Sequence, residues 1–302
     1  MNKQNRLLGI FFVICGASFW GIGGTVAQYL FQTGNINVDW FVTTRLLIGG
    51  GLLLGSQLVN SNRQQIFHIW REPTSRNRLI IFSLLGMLLV QYSYMASIAL
   101  GNAAVATLLQ YLAPIFIILY FIIKGIQKLT GSDLVAISLT LVGTFLLLTN
   151  GSFHNLSVPY SAIIWGVISG LSLAFYTLYA RSLLESFSSV IVVGWAMFLA
   201  GIVMSFVHPI WAIDGTNWSA SIYLALGFTI LFGTALAFWM FIKSLEYLTA
   251  KETTLLGTVE PLTAVVSSIL WLQLPFGPWQ IVGGLLILVL VGYLSLQNGK
   301  EA

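Results

Sequence analysis

The sequence predicts an all-α integral membrane protein: ten transmembrane helices forming two inverted five-helix repeats, with both termini cytoplasmic. Three observations point there. The 302 residues are 57% hydrophobic and 7% charged, with a mean hydropathy of +0.90, whereas soluble chains carry about 25% charged residues. Apolar runs of roughly the 20 residues needed to cross a bilayer recur about ten times. Every Lys and Arg except Arg45 falls between those runs, always in alternate gaps.

Lys3 and Arg6 precede the first run, 7–31. Its basic start imitates a signal peptide, but about 25 apolar residues exceed the usual 7–15 of a signal core, so it reads as a retained helix. The second run, 39–59, leads into a gap carrying Arg63, Arg71, Arg76 and Arg78. The third, 78–100, leads into a gap with no Lys or Arg. Lys124 and Lys128 follow the fourth, 103–123. The fifth, 132–149, is followed by the uncharged stretch 151–159, which reads as a short external connector. Arg181 follows the sixth, 160–180, and no basic residue follows the seventh, 189–208. Lys243 closes the eighth, 221–243, and Lys251 lies beyond it. The ninth, 252–273, is followed by no basic residue, and the tenth, 278–297, precedes Lys300. Basic residues in short loops mark the cytoplasmic side, so one more or one fewer span would scramble the alternation.

The net charge of +4 sits at separate helix ends, where it orients the chain against an anionic leaflet. It forms no stripe for nucleic acid. The single Cys15 allows no disulfide within the chain.

The chain is also self-similar. Shifted by 147 positions, 94–147 overlays 241–294 without a gap. Ser97 meets Ser244, Thr107-Leu108-Leu109 meets Thr254-Leu255-Leu256, Pro114 meets Pro261, and Val135 meets Val282. Prolines at matching places inside two helices carry weight, because each removes a backbone donor and kinks its helix. Lys124 and Lys128 correspond to Trp271 and Pro275, while Ala96 and Ala104 correspond to Lys243 and Lys251. Charge thus swaps loops between the copies, as expected for five-span repeats of opposite topology, 1–150 and 151–302.

Two charges lie inside spans, where they are costly and face a cavity or a partner. Arg45 is about 9 Å below the outer boundary, counted from Asp39, and Glu260 about 12 Å from the inner one, counted from Glu252. Arg45 can attract a carboxylate, and Glu260 can bind an amine or a coupling proton. Alternatively each anchors helices through buried hydrogen bonds, or Arg45 snorkels outward. Helical spacing puts Trp165, Ser169, Ser172, Tyr176 and Tyr179 on one face of the sixth span. Ser83, Met87, Gln91 and Tyr94 share a face of the third, Thr107, Gln110 and Tyr111 cluster in the fourth, and Thr253, Gly257, Glu260, Ala264 and Ser267 line the ninth. Such faces suit a cavity with aromatic walls and a few orienting polar groups. Tyr29, Trp40, Trp211, Trp218, Tyr223 and Trp279 read as interfacial belts. Gly16, Gly21, Gly23, Gly24 and 49–51 permit close helix approach, with a hinge reserved for 21–24. Gly283 and Gly284 are candidates for a homodimer face.

Trp20-Gly21, Arg45, the stretch 99–114 and Glu260-Pro261, together with ten spans in two repeats, resemble the drug/metabolite transporter superfamily in its ten-helix EamA-like branch. The resemblance covers essentially the whole chain. It implies a multi-pass protein of a plasma membrane, bacterial in origin, with a small molecule as its partner. The implied activity is secondary transport by alternating access around a central cavity, often export of amino acids or related metabolites. Trp20, Gln91, Tyr94, Gln110, Tyr111, Trp165, Tyr176 and Glu260 are then the substrate-binding candidates. Arg45, Glu260, Pro114 and Pro261 are the candidates for coupling or gating. Uptake of a small sugar, amine or other metabolite is the alternative. A membrane enzyme or a sensor is more remote, because His68, His154 and His208 are scattered and no catalytic or metal-ligand spacing occurs. No cofactor is implied. The longest polar gap, 60–77, is too short for a nucleotide domain, so a gradient must drive transport.

Overall fold

The computed structural model describes residues 3–59, 63–152, 155–213, 218–248 and 250–297, and the described residues are helical without strands. His154 and Lys300 lie outside them. In chain order the helices are α1 (Lys3–Gln32), α2 (Val38–Val59), the short α3 (Arg63–Arg71) and α4 (Pro73–Leu100). They continue with α5 (Ala103–Ile123), α6 (Gly131–Thr149), α7 (Tyr160–Leu184) and α8 (Ser189–Met204). The last are α9 (Ala220–Ser244), α10 in two pieces (Ala250–Gly257 and Val259–Leu270) and α11 (Pro278–Gln297). Among the described residues, 6 helices are long and apolar enough to cross a membrane, in α1, α2, α4, α5, α7 and α9. The apolar helices in α6, α8, α10 and α11 are shorter, at 10–17 residues.

Glycines set how closely the helices approach, because a missing Cβ lets backbones touch. Along α1, Gly9 meets Tyr247 and Leu248, Gly16 meets Ala237, and Gly23 meets Gly233, so α1 and α9 run antiparallel. Against α10 the order is parallel: Arg6 pairs with Glu252 at 3.0 Å, Gly21 abuts the Glu260 carbonyl, and Thr25 bonds Ser267 at 2.7 Å. Gly50 meets Gly194 and Phe198 while Gly201 meets Leu47, which makes α2 and α8 antiparallel. Gly143 and Gly283 make α6 and α11 a further antiparallel pair. On α4, Phe82 meets Tyr176 and Ser97 bonds the Ala162 carbonyl, so α7 descends where α4 rises.

Several helices are irregular. Residues Phe82–Leu88 of α4 and Leu231–Leu236 of α9 wind as π-helix, a form concentrated at functional sites. α5 breaks at Tyr111 and Leu112, and α10 breaks at Thr258, each shortly before its proline. Where α5 starts, Asn102 caps the Val105 N–H at 2.8 Å and buried Gln28 accepts from the Ala103 N–H at 2.9 Å. Two of the helix's otherwise orphaned donors are thereby satisfied.

Some sequence expectations change here. Trp40 is 6% exposed and donates to the Ile210 carbonyl at 2.9 Å, so it anchors a loop instead of joining a lipid-facing belt. Gly283 and Gly284 meet Gly143 and Leu108 of the same chain, which removes them as a face between copies. Gly21, Gly23 and Gly24 each abut a neighbouring helix, the close approach that the sequence also allowed them.

Candidate functional site

The chemistry begins with the two prolines. Proline has no N–H, so the carbonyl four residues earlier loses its helical partner. For Pro261 that carbonyl belongs to Gly257, and it is met from another helix: the Tyr111 hydroxyl lies 3.1 Å from it. The same hydroxyl lies 3.1 Å from Glu260 Oε2. One hydroxyl proton therefore serves two acceptors when Glu260 is ionised. When Glu260 is protonated, its O–H can donate to Tyr111, which donates in turn to Gly257, and every group is satisfied. Glu260, Tyr111 and Gln110 are each only partly buried, although they sit within helices of an apolar bundle.

Arg45 is 9% exposed and turned into the protein. Its Nε donates to Thr234 Oγ1 at 2.6 Å and its Nη2 to the Gly233 carbonyl at 3.3 Å, while Nη1 approaches Met95 Sδ at 3.6 Å. The guanidinium thus holds the π-helical stretch of α9, and the snorkelled position is excluded. Arg45, Tyr94 and Glu260 lie within electrostatic reach of one another, but among the described residues no ion pair joins Arg45 to Glu260. Tyr94 is 7% exposed, bonds Thr107 at 2.7 Å and fills the space over Gly24. Half-buried Trp20 packs on Phe238 and Phe241 with ring centres 4.8 and 4.9 Å away, and Phe241 also borders Gly257.

The expected site residues fall into two groups. Trp20, Arg45, Tyr94, Tyr111, Glu260 and Pro261 gather where α1, α2, α4, α5, α9 and α10 meet. Trp165 and Tyr176 lie along α7 against Tyr92 and Phe82 of α4, with ring centres 5.5 and 4.7 Å apart. Half-buried Gln91 belongs to that α4 side, and Gln110, beside Pro114, bonds Ser169 of α7 at 2.7 Å. Two clefts of about 300 and 620 Å³ lie elsewhere, between α2 and α9 and beside α1, α9 and the end of α10. Neither is lined by an expected site residue. Sequence reasoning missed Gln28, Thr234, Phe238 and Phe241. An amide in the middle of the first apolar run was a readable signal for Gln28; the others become evident only through their contacts.

A bundle of long apolar helices is that of a multi-pass membrane protein, and known proteins show its class. The EamA-like transporter family matches residues 7–149 and again 160–296, and the chain belongs to that family. It is 32% identical to the uncharacterized inner membrane transporter YicL of Salmonella typhimurium, over 97% of each chain. It is 24% identical to the uncharacterized transporter YwfM of Bacillus subtilis, over 94% of this chain and 92% of that one. An uncharacterized transporter of Archaeoglobus fulgidus is 27% identical over 65% of this chain and 68% of its own. A solved crystal structure of 15% identity shares the fold, with a TM-score of 0.64 over 100% of this chain and 99% of that one.

Proposed function

We propose that the protein is a secondary transporter exporting a small polar metabolite, an amino acid or a related amine-bearing compound, across a bacterial plasma membrane by alternating access. The observation that carries this reading is Glu260, half-buried within a helix and tied to Tyr111 of another broken helix. A carboxylate kept inside an apolar bundle is costly, and such groups mark ion or cargo pathways. Arg45 already bonds Thr234 and Gly233 of α9, which leaves Glu260 as the freer charged group for an amine or a proton.

In this reading all ten apolar helices cross the membrane, the basic ends are cytoplasmic, and 1–150 and 151–302 are inverted copies. The irregularities support it. The breaks in α5 and α10 and the π-helices in α4 and α9 recur about 147 residues apart, to within two residues. The packing supports it too: α4 against α7 corresponds to α9 against α1, and the antiparallel pairs α2–α8 and α6–α11 each map onto themselves. Such exchange is what a twofold axis in the membrane plane produces, with the substrate site at the repeat interface.

The test is counterflow and pH-driven flux of labelled amino acids and amines in proteoliposomes. If Glu260 couples protons, Glu260→Gln should retain cargo binding while losing pH-driven flux; if it holds the amine, binding should fall as well. Unchanged pH-driven flux in that variant removes Glu260 from coupling, and a folded wild type that moves none of these compounds ends the cargo assignment.

A further inference from the structure

The elbow between α3 and α4 differs from three other basic sites. Arg6, Arg181 and Lys243 each sit beside a carboxylate, Glu252, Glu185 and Glu246. Arg71, Arg76 and Arg78 are exposed, and among the described residues no carboxylate pairs with them. The one acidic group between them, Glu72, accepts from the Ser75 hydroxyl at 2.7 Å. α3 is fixed in place: Ile66 and Ile69 are 2% and 0% exposed, and Trp195 of α8 donates to the Ile66 carbonyl at 2.9 Å. Its outer side presents Phe67, 56% exposed. Below Arg78 an exposed aliphatic stripe runs down α4 through Ile81, Leu85 and Leu89, at 41%, 54% and 38% exposure. Arg78 thus heads an open apolar track, with Arg71 and Arg76 exposed within seven residues of it.

We propose that this elbow binds a lipid with an anionic phosphate headgroup, its phosphate held by Arg71, Arg76 and Arg78 and an acyl chain laid along Ile81, Leu85 and Leu89. A soluble anion would have no use for the track, and an uncharged lipid none for three unpaired arginines. Clustered basic residues beside a membrane helix attract anionic headgroups, and arginine grips phosphate through two donors at once. The proposal needs neither the Glu260 site nor the cargo assignment.

The purified full-length protein in neutral detergent, titrated with short-chain phosphatidylglycerol and followed by thermal unfolding, tests it. Phosphatidylglycerol should raise the melting temperature saturably, while phosphatidylcholine of the same chain length and inorganic phosphate should not. Each exposed arginine is worth about fivefold before screening, so R71Q/R76Q/R78Q should move the midpoint to at least about tenfold higher lipid. R71K/R76K/R78K, which keeps the charge that orients the chain, should lose less. K124Q/K128Q, which removes two basic residues elsewhere, should behave as wild type. An equal response to inorganic phosphate, an unshifted midpoint in the glutamine triple variant, or an equal loss in K124Q/K128Q overturns the proposal.

Discussion

Tyr111 and Glu260 belong to different broken helices, yet the hydroxyl of one lies 3.1 Å from the carboxylate of the other. That oxygen also serves the Gly257 carbonyl freed by Pro261. Tyr111→Phe removes only the hydroxyl. The variant should fold with a melting temperature lowered by the loss of one buried partner, a cost of about 1–3 kcal/mol. Its pH-driven flux should fall much further than its cargo binding. Equal losses in binding and flux would reduce Tyr111 to a packing residue.

Arg45 joins α2 to the π-helical stretch of α9 through Thr234 and Gly233. Hydrogen bonds to a charged group contribute about 1.5–3 kcal/mol each. Arg45→Met should therefore lower thermal stability in detergent clearly while leaving cargo selectivity alone. Arg45→Lys cannot present two donors in a fork, so it should rescue only part of the loss. A selectivity change at undiminished stability would return Arg45 to the cargo site.

The positions of the apolar runs, the loop charges and the paired prolines were all legible in the sequence, because each follows from local chemistry: helix length, charge and a missing N–H. Arg45 and Glu260 were legible as misplaced charges, but not their partners. The bonds of Arg45 to Thr234 and Gly233 depend on the π-turn at Leu231–Leu236, and nothing in the local apolar sequence marks where a helix widens. α3 was hidden in the polar gap 60–77 because only nine residues form it. Tyr94 was read from its helical face as cavity-lining, and that face is indeed inward; whether an inward tyrosine meets open space or Thr107 is a tertiary fact.

Gly21 and Gly51 make a matched pair. A Cβ at Gly21 would overlap Thr263 Oγ1 and the Glu260 carbonyl, whereas a Cβ at Gly51 meets nothing within 4 Å. Gly21→Ala should destabilise by about 1–3 kcal/mol through overpacking. Gly51→Ala should be neutral or stabilising by up to about 1 kcal/mol, since alanine favours the helix. Melting curves of the two variants side by side check the contrast. Equal behaviour would mean that α1 and α10 are not packed as closely as described.

Pro261→Ala restores a backbone N–H one turn after Gly257. That N–H would compete with Tyr111 for the Gly257 carbonyl and knit α10 across its break at Thr258. A continuous helix gains a hydrogen bond, so stability should hold or rise. The Tyr111 hydroxyl would be left to Glu260 alone, with one proton for one acceptor, and the need for a protonated carboxyl would vanish. Flux should then drop and lose much of its pH dependence while binding persists, the opposite pairing of stability and activity from Arg45→Met. Pro114→Ala supplies the comparison, because it mends the break in α5 without touching the Gly257 carbonyl. Its flux should drop as well if the breaks act as joints, but the surviving flux should keep its dependence on pH. Retained pH dependence in Pro261→Ala would separate the break from the proton chemistry and leave the proline a purely mechanical part.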